Sequence, residues 1–196
     1  DKITRYVYTW CDELIVLARK SWSIYELSEK KANRKDVESY LNKQRPNLVI
    51  FNGHGNAHSV LGHNGEELIS TQHQNEHLLA EKNVFIRACT AGLVLGKNIK
   101  TKGAVGFIGY KIPISFWYNP TQYLSRPLQD PDAEPFRICS NQVAISLLKG
   151  KTVREAHEHS MATYRKTISE LLNSGSERAH LVSTLFANMK NQVCYD

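Results

Sequence analysis

The chain reads as an α/β protein, a mostly parallel sheet of about six strands with helices on both faces. Three observations lead there. Short apolar runs rich in β-branched and aromatic residues recur at 48–51 (Leu-Val-Ile-Phe), 84–86 (Val-Phe-Ile) and 104–110, and runs of this length bounded by glycine are buried strands. Helical or turn chemistry separates them, so β and α alternate through the middle of the chain. From residue 136 onward the apolar residues fall at helical spacing.

Each element has its own signal. Residues 4–10 have strand chemistry, as have Ile24, Tyr25, Glu26 and Leu27. Residues 12–20 fit a helix or a further strand. Asn33 is placed to cap a helix through about residue 44, with Val37, Tyr40 and Leu41 on one face, and Pro46 stops it. The first apolar strand covers 47–52. Asn64-Gly65, between apolar positions in 58–69, signals a hairpin. Residues 71–82 read as a helix with Leu78 and Leu79 inward. The second strand covers 83–88, a short helix follows near 92–98, and the third strand covers 104–110. In 111–135 the alternation breaks, with Pro113, Pro120, Pro127, Pro131 and Pro135 among Phe116, Trp117, Tyr118 and Tyr123. Long irregular stretches in compact domains are often functional loops, and this one is read as a wall of a cleft. Residues 136–149 return to helix, ending at Gly150. Thr152 and Glu155 form a capping box. The helix it opens carries Ala156, Met161, Tyr164, Ile168 and Leu171, with Gly175 beyond its end, and 177–192 is a last helix.

Length and composition narrow the function. The 196 residues, 41% hydrophobic and 22% charged, suit one globular domain with a sizeable core. No apolar stretch approaches the roughly 18 residues of a membrane span, and no leader pattern opens the chain. The first residue is Asp1 rather than Met, which fits a processed piece or one domain excised from a longer protein. The net charge of +6 comes from dispersed Lys and Arg, so a nucleic acid is at most an indirect partner. Cys11, Cys89, Cys139 and Cys194 make neither a zinc-ribbon spacing nor a disulfide scaffold. A reducing cytoplasm fits them and keeps a thiolate usable.

His54 and Cys89 carry the chemistry. The first strand runs into Asn52-Gly53-His54-Gly55, and the second into Arg87-Ala88-Cys89-Thr90-Ala91-Gly92. If these strands are parallel neighbours, both side chains emerge at the carboxyl edge of the sheet, where α/β proteins place their sites. A thiol beside an imidazole is a nucleophile beside its base. Cys11 lacks a His-Gly partner and reads as packing. A competing motif is His73-Gln74-Asn75-Glu76-His77, which matches H-x-x-E-H. On a helix, His73 and His77 would share a face and could bind zinc with Glu76 as base, given a third ligand such as Glu155 or Glu158. His58, His63, His157 and His159 read as surface residues.

The order strand, His54-Gly55, spacer, strand, Ala88-Cys89 resembles the caspase-like cysteine peptidases. The spacer with its hairpin is closer to the clostripain, gingipain and CHAT branch than to animal caspases, and the caspase Gln-Ala-Cys is replaced by Arg87-Ala88-Cys89. The resemblance implies a three-layer sandwich with a small hairpin after the His strand. It implies a cysteine endopeptidase working through a His54–Cys89 dyad and a thioester, with an oxyanion hole from the N–H groups of Gly55 and Cys89. No cofactor is implied, although calcium activates some relatives. The pocket for the residue before the cut would lie near Asp12, Tyr110, Ser115 and Trp117. Asp12 there would favour Arg or Lys, while small or apolar residues and acidic ones stay open. The partners implied are a protein or peptide substrate and a regulatory sensor domain or subunit, as in CHAT-type bacterial defence proteases. The 129–132 loop is a candidate for self-cleavage. A catalytically silent caspase-like interaction module is the alternative.

Overall fold

Residues 2–173 and 177–196 are described in the computed structural model of the chain. In chain order the elements are α1 (Lys2–Ala18), α2 (Arg34–Gln44), β1 (Leu48–Asn52), β2 (Ser59–Leu61), β3 (Glu67–Ser70), β4 (Asn83–Arg87), α3 (Leu95–Thr101), β5 (Gly106–Tyr110), α4 (Pro120–Tyr123), α5 (Glu134–Leu148), α6 (Val153–Asn173), α7 (Val182–Asn191) and β6 (Gln192–Tyr195). The main sheet has four strands in the order β1-β4-β5-β6, and β2-β3 form a separate hairpin. β1, β4 and β5 are mutually parallel, and β6 runs antiparallel to β5.

Strand alternation sorts the sheet into two faces. Val49, Phe51, Val84, Ile86 and Phe107 pack towards α2, α3 and the hairpin. Leu48, Ile50, Phe85, Ile108 and Tyr110 pack towards α1, α5 and α6. A further cluster, with Tyr6, Trp10, Phe136, Tyr164, Leu171 and Leu185, joins α1, α5, α6 and α7. The result is an α/β fold with a mostly parallel sheet flanked by helices.

Local signals are seen at work. Asn33 accepts a hydrogen bond from the Asp36 N–H and opens α2. Asn64 (φ 54°) and Gly65 (φ 77°) make the turn between β2 and β3. Thr152 and Glu155 bond reciprocally at the start of α6. Gly175 lies outside the described residues.

Three expectations need correction. Residues 4–10 belong to a helix, α1. Its aromatic and β-branched residues suit strands, but the buried set of Tyr6, Val7, Trp10, Leu14 and Ala18 follows the helical period. Ile24–Leu27 is extended without pairing. The stretch 71–82 holds only a 3₁₀ turn, Glu76–Leu79. Gln74 and Glu81 have positive φ (53° and 61°), which a right-handed helix cannot contain. The expectation of about six sheet strands therefore loses its two N-terminal members, while β6 is a strand that the sequence reading assigned to a helix and its tail.

Candidate active site

β1 and β4 are parallel neighbours in a register that pairs Asn52 with Arg87. His54 and Cys89 each lie two residues beyond that pair, at the carboxyl edge. The Gly53 N–H donates to the Arg87 carbonyl at 3.1 Å, carrying the pairing one step past the strands. The next residues touch: a Cβ on Gly55 would lie 2.9 Å from the Ala88 Cβ and 2.8 Å from the Ser59 carbonyl oxygen. Glycine at 55 and alanine at 88 are thus what lets the two tips approach.

Both tips are fastened from behind. The Leu61 N–H donates to the His54 carbonyl (3.0 Å) and the Asn56 N–H to the Ser59 carbonyl (2.9 Å), so the His turn is stitched to the hairpin. Asn56 Oδ1 accepts from the N–H groups of His58 (2.7 Å) and Ser59 (3.0 Å). The Leu95 N–H donates to the Ala57 carbonyl at 2.8 Å, tying the His turn to the helix after the Cys turn. On the Cys side, the Gly92 N–H donates to the Tyr110 carbonyl (2.8 Å). Tyr195 Oη donates to the Gly92 carbonyl (2.7 Å). Thr90, next to Cys89, sits in the left-handed region at φ 54°. A β-branched residue there is strained, and such strain concentrates at functional sites.

Cys89 is a half-buried free thiol and His54 is exposed. His54 Nε2 is 2.8 Å from Thr4 Oγ1 in the first turn of α1. The amides of Gly55 and Cys89 donate to no backbone carbonyl among the described residues. A thiol, an imidazole and two such N–H groups at one sheet edge are the kinds of group that acyl transfer needs: nucleophile, base and oxyanion donors. Burial pushes the Cys139 thiol up to about 12 and the Cys194 thiol up to about 11. Burial also raises Cys11, against the opposing field of Arg87. Raised thiols are poor nucleophiles at neutral pH.

Of the four residues expected to read the substrate, one lies in the core and three lie on α1 and in the segment before α4. Tyr110 is fully buried, its hydroxyl 3.2 Å from Ser140 Oγ and accepting from Gln192 Nε2 at 3.1 Å. It belongs to the core rather than to a cleft. Asp12 lies on α1, where partial burial and then the like charge of Glu26 raise its carboxyl. Ser115 is pinned to α7 through Asn188, and Trp117 through Thr184, with His180 against its ring edge. Between them Phe116 and Tyr118 turn inward onto Trp10 and Tyr6, with ring centroids 4.7 and 5.0 Å apart. The 111–119 segment is therefore a strap between α1 and α7. Within the 129–132 loop, Asp130 is fully buried and accepts from Tyr6 Oη (2.6 Å) and from the N–H groups of Asn119, Asp132 and Ala133. Gln129 and Pro131 on either side of it are exposed.

The H-x-x-E-H motif loses its helix. His73 contacts Arg34 and lies 3.5 Å from Glu67. His77 Nδ1 meets the Gln74 carbonyl, and Glu76 turns inward to Asn98. Without the helix, the one-turn spacing that the zinc reading needs does not arise. Among the described residues no group of three or more His, Cys, Asp or Glu side chains could hold a metal ion. Two hollows, about 330 Å³ beside β6 and about 390 Å³ beside Pro46, are lined by neither His54 nor Cys89.

Two features lay beyond the sequence reading. One is Thr4 on His54, hidden because its segment reads as a strand. The other is Arg87, fully buried with no carboxylate partner among the described residues. Its Nη2 donates to Asn141 Oδ1 at 2.6 Å, and its guanidinium lies over the rings of Trp10 and Phe85. Nε, Nη1 and the neighbouring Trp10 Nε1 are buried without acceptors. Burial lowers the guanidinium's proton affinity. A charged residue inside an apolar strand was the available signal.

The molecule is thus an α/β protein presenting a thiol and an imidazole at the carboxyl edge of adjacent parallel strands. Compared with known proteins, the chain matches no family model, and no curated protein or solved structure matches significantly. No described helix is long and apolar enough to cross a membrane.

Proposed function

We propose that the chain is a cysteine endopeptidase domain of the caspase-like type. The observation that carries the proposal is the close approach of Gly55 to Ala88, the neighbours of His54 and Cys89, with the Gly55 and Cys89 amides donating to no backbone carbonyl among the described residues. Cys89 attacks the peptide carbonyl carbon after giving its proton to His54. The oxyanion collapses to a thioester as His54 protonates the leaving amine, and water then hydrolyses the thioester. The Gly55 and Cys89 amides supply the oxyanion donors. The hairpin β2–β3 between the two motifs favours the clostripain, gingipain and CHAT branch over animal caspases, and with it a regulated, CHAT-type bacterial defence protease. Four unpaired cysteines favour a cytoplasmic setting. The partners on this reading are a protein substrate and a sensor domain or subunit.

The test is labelling by an iodoacetamide probe at neutral pH, read by peptide mass spectrometry. Fast labelling confined to Cys89 and slowed in His54→Ala is expected, followed by cleavage in a peptide library that Cys89→Ala abolishes. Labelling of Cys89 no faster than Cys11, with no cleavage, would leave a silent interaction module instead.

A further inference from the structure

We infer that β6 is the surface on which a second copy of this chain docks, edge to edge and antiparallel, so that two sheets become one. β6 ends the sheet order β1-β4-β5-β6 and pairs with β5 alone. The Lys111 N–H donates to the Asn191 carbonyl at 2.9 Å, and that bond sets the phase of the ladder. Val193 opposite Gly109 and Tyr195 opposite Phe107 therefore turn their N–H and C=O groups towards β5. Gln192, Cys194 and Asp196 turn theirs outward. The same phase aims the carbonyl of Tyr110, opposite Gln192, away from β6, and it accepts from the Gly92 N–H at 2.8 Å.

The edge is open. The Gln192 carbonyl, the Cys194 N–H and carbonyl and the Asp196 N–H have no backbone partner among the described residues. The strand sequence, Gln-Val-Cys-Tyr, holds neither the Pro nor the Lys that blunts a free edge. Beside it lies the hollow of about 330 Å³, walled by Lys111 and by Arg154, His157 and Glu158 of α6.

The order of charges along that wall chooses the occupant. Arg154 Nε donates to Asp196 Oδ2 at 2.7 Å, and His157 Nδ1 lies 2.9 Å from Gln192 Oε1. α6 thus runs opposite to β6, with Arg154 level with Asp196 and His157 and Glu158 level with Gln192. A two-fold axis at Cys194 pairs Cys194 with its own copy, Val193 with Tyr195 and Gln192 with Asp196. Each outward Cys194 group then bonds to the other copy's Cys194, and each Asp196 N–H donates to the other copy's Gln192 carbonyl. Val193 against Tyr195 is a favourable β-branched and aromatic pair. The same axis lays the two α6 helices side by side in opposite directions. It brings Arg154 level with Glu158 of the second copy, and Lys111 level with Asp196 of the second copy. A peptide of one sign would meet like charge along half of this wall, whereas a second copy meets opposite charge at both ends.

The experiment is sedimentation of the wild type, Cys194→Pro, Arg154→Glu and Glu158→Arg, each alone, and of the last two mixed in equal amounts. The wild type is expected at twice the chain mass. Cys194→Pro removes an outward N–H and leaves the ladder to β5 whole, so it should be a folded monomer by circular dichroism. Arg154→Glu and Glu158→Arg each set like charges against each other across the axis and should sediment as monomers. Their mixture should return to the dimer, because each reversed charge then meets its opposite. Hydrogen exchange gives a second readout: the Cys194 amide should slow by about tenfold or more as the protein is concentrated, while the inward Val193 and Tyr195 amides change little. A wild type that stays monomeric up to about 0.1 mM would overturn the inference. So would a dimer that Cys194→Pro leaves intact, or charge variants that fail to pair when mixed. Because the charge variants leave the β6 backbone untouched, they decide the matter even where Cys194→Pro does not fold.

Discussion

A methyl group added at Gly55 would lie 2.9 Å from the Ala88 Cβ and 2.8 Å from the Ser59 carbonyl. Backbone and a short side chain cannot step aside as a long side chain can. Gly55→Ala is therefore expected to lower stability by about 1–3 kcal/mol in urea denaturation. It should also reduce Cys89 alkylation towards that of Cys11, because separating the tips separates base from thiol. Thr90 works in the opposite sense. Its left-handed backbone (φ 54°) costs about 1–2 kcal/mol for a residue with a Cβ. Thr90→Gly is expected to raise stability by about 1 kcal/mol while slowing Cys89 alkylation, as the turn that aims the thiol loosens. A more stable variant with undiminished Cys89 reactivity would show that the strain is unrelated to the site. Arg87 is a third case. A fully buried cation with one hydrogen bond and two unpaired donors leaves most of its desolvation cost uncompensated, despite the two aromatic rings. Arg87→Met keeps most of the volume and removes the charge. Although Asn141 Oδ1 loses its donor, the thermal midpoint is expected to equal or exceed that of the wild type, and a large fall would mean that the guanidinium, with its bond to Asn141 and its two ring contacts, is stabilising.

At the scale of elements, the sequence was most legible where structure is local. The Asn33 cap, the Asn64-Gly65 hairpin and the Thr152–Glu155 box each depend on a few adjacent residues. The three parallel strands were legible because both of their faces are covered, which makes them continuous apolar runs. α1 was not, since Tyr, Val, Thr and Trp favour strands and only tertiary packing reveals which of them are buried. Neither was the turn-rich 71–82 stretch, whose positive-φ residues Gln74 and Glu81 are not types that announce a turn. The placement of His54 and Cys89 at one edge followed from the strands. The substrate residues did not, because Tyr110 ends a strand inside the core and Trp117 is drawn to α7 by Thr184. The join between α1 and α5 turns on one carboxylate. Asp130 accepts four hydrogen bonds, from the Tyr6 hydroxyl and three backbone amides. Asp130→Ala would take the acceptor from the three amides and leave Tyr6 Oη only the Asn119 carbonyl at 3.3 Å, and a loss of about 3–5 kcal/mol in urea denaturation is expected. Tyr6→Phe removes one of the four and should lose only about 1 kcal/mol. Equal losses in the two variants would place the whole effect in the Tyr6 bond.

For the whole molecule, the buried thiols set how stability depends on pH. The Cys139 thiol has an ordinary value of 9.0 and is pushed up to about 12, first by burial, with a weak opposing bond to Thr167. Cys194 moves in the same direction, to about 11, but is only half-buried, so solvent reduces its share. A raised acid keeps its proton in the folded state after the unfolded chain has released it. The unfolded state then binds fewer protons, and stability falls as pH rises. The contribution is complete below about pH 9 and is lost progressively towards pH 12. The net charge of +6 acts the other way, since lysines losing protons relieve repulsion. That repulsion is spread over a surface where a Debye length of about 10 Å at 0.1 M salt screens it, while the thiol effect sits in the core. Burial raises the Tyr6 and Tyr164 phenols as well, so these add to the decline above about pH 10, and the thiols lead it. Urea midpoints are expected to stay level from about pH 7 to 9 and then to decline, with a shallower decline in Cys139→Ala relative to its own neutral-pH value. The same burial should leave Cys139 unmodified by iodoacetamide in the native protein over the level range. Early modification of Cys139 would mean that the helices around α5 open to solvent well before the molecule unfolds, and a decline equally steep in Cys139→Ala would assign it to the buried phenols of Tyr6 and Tyr164 instead.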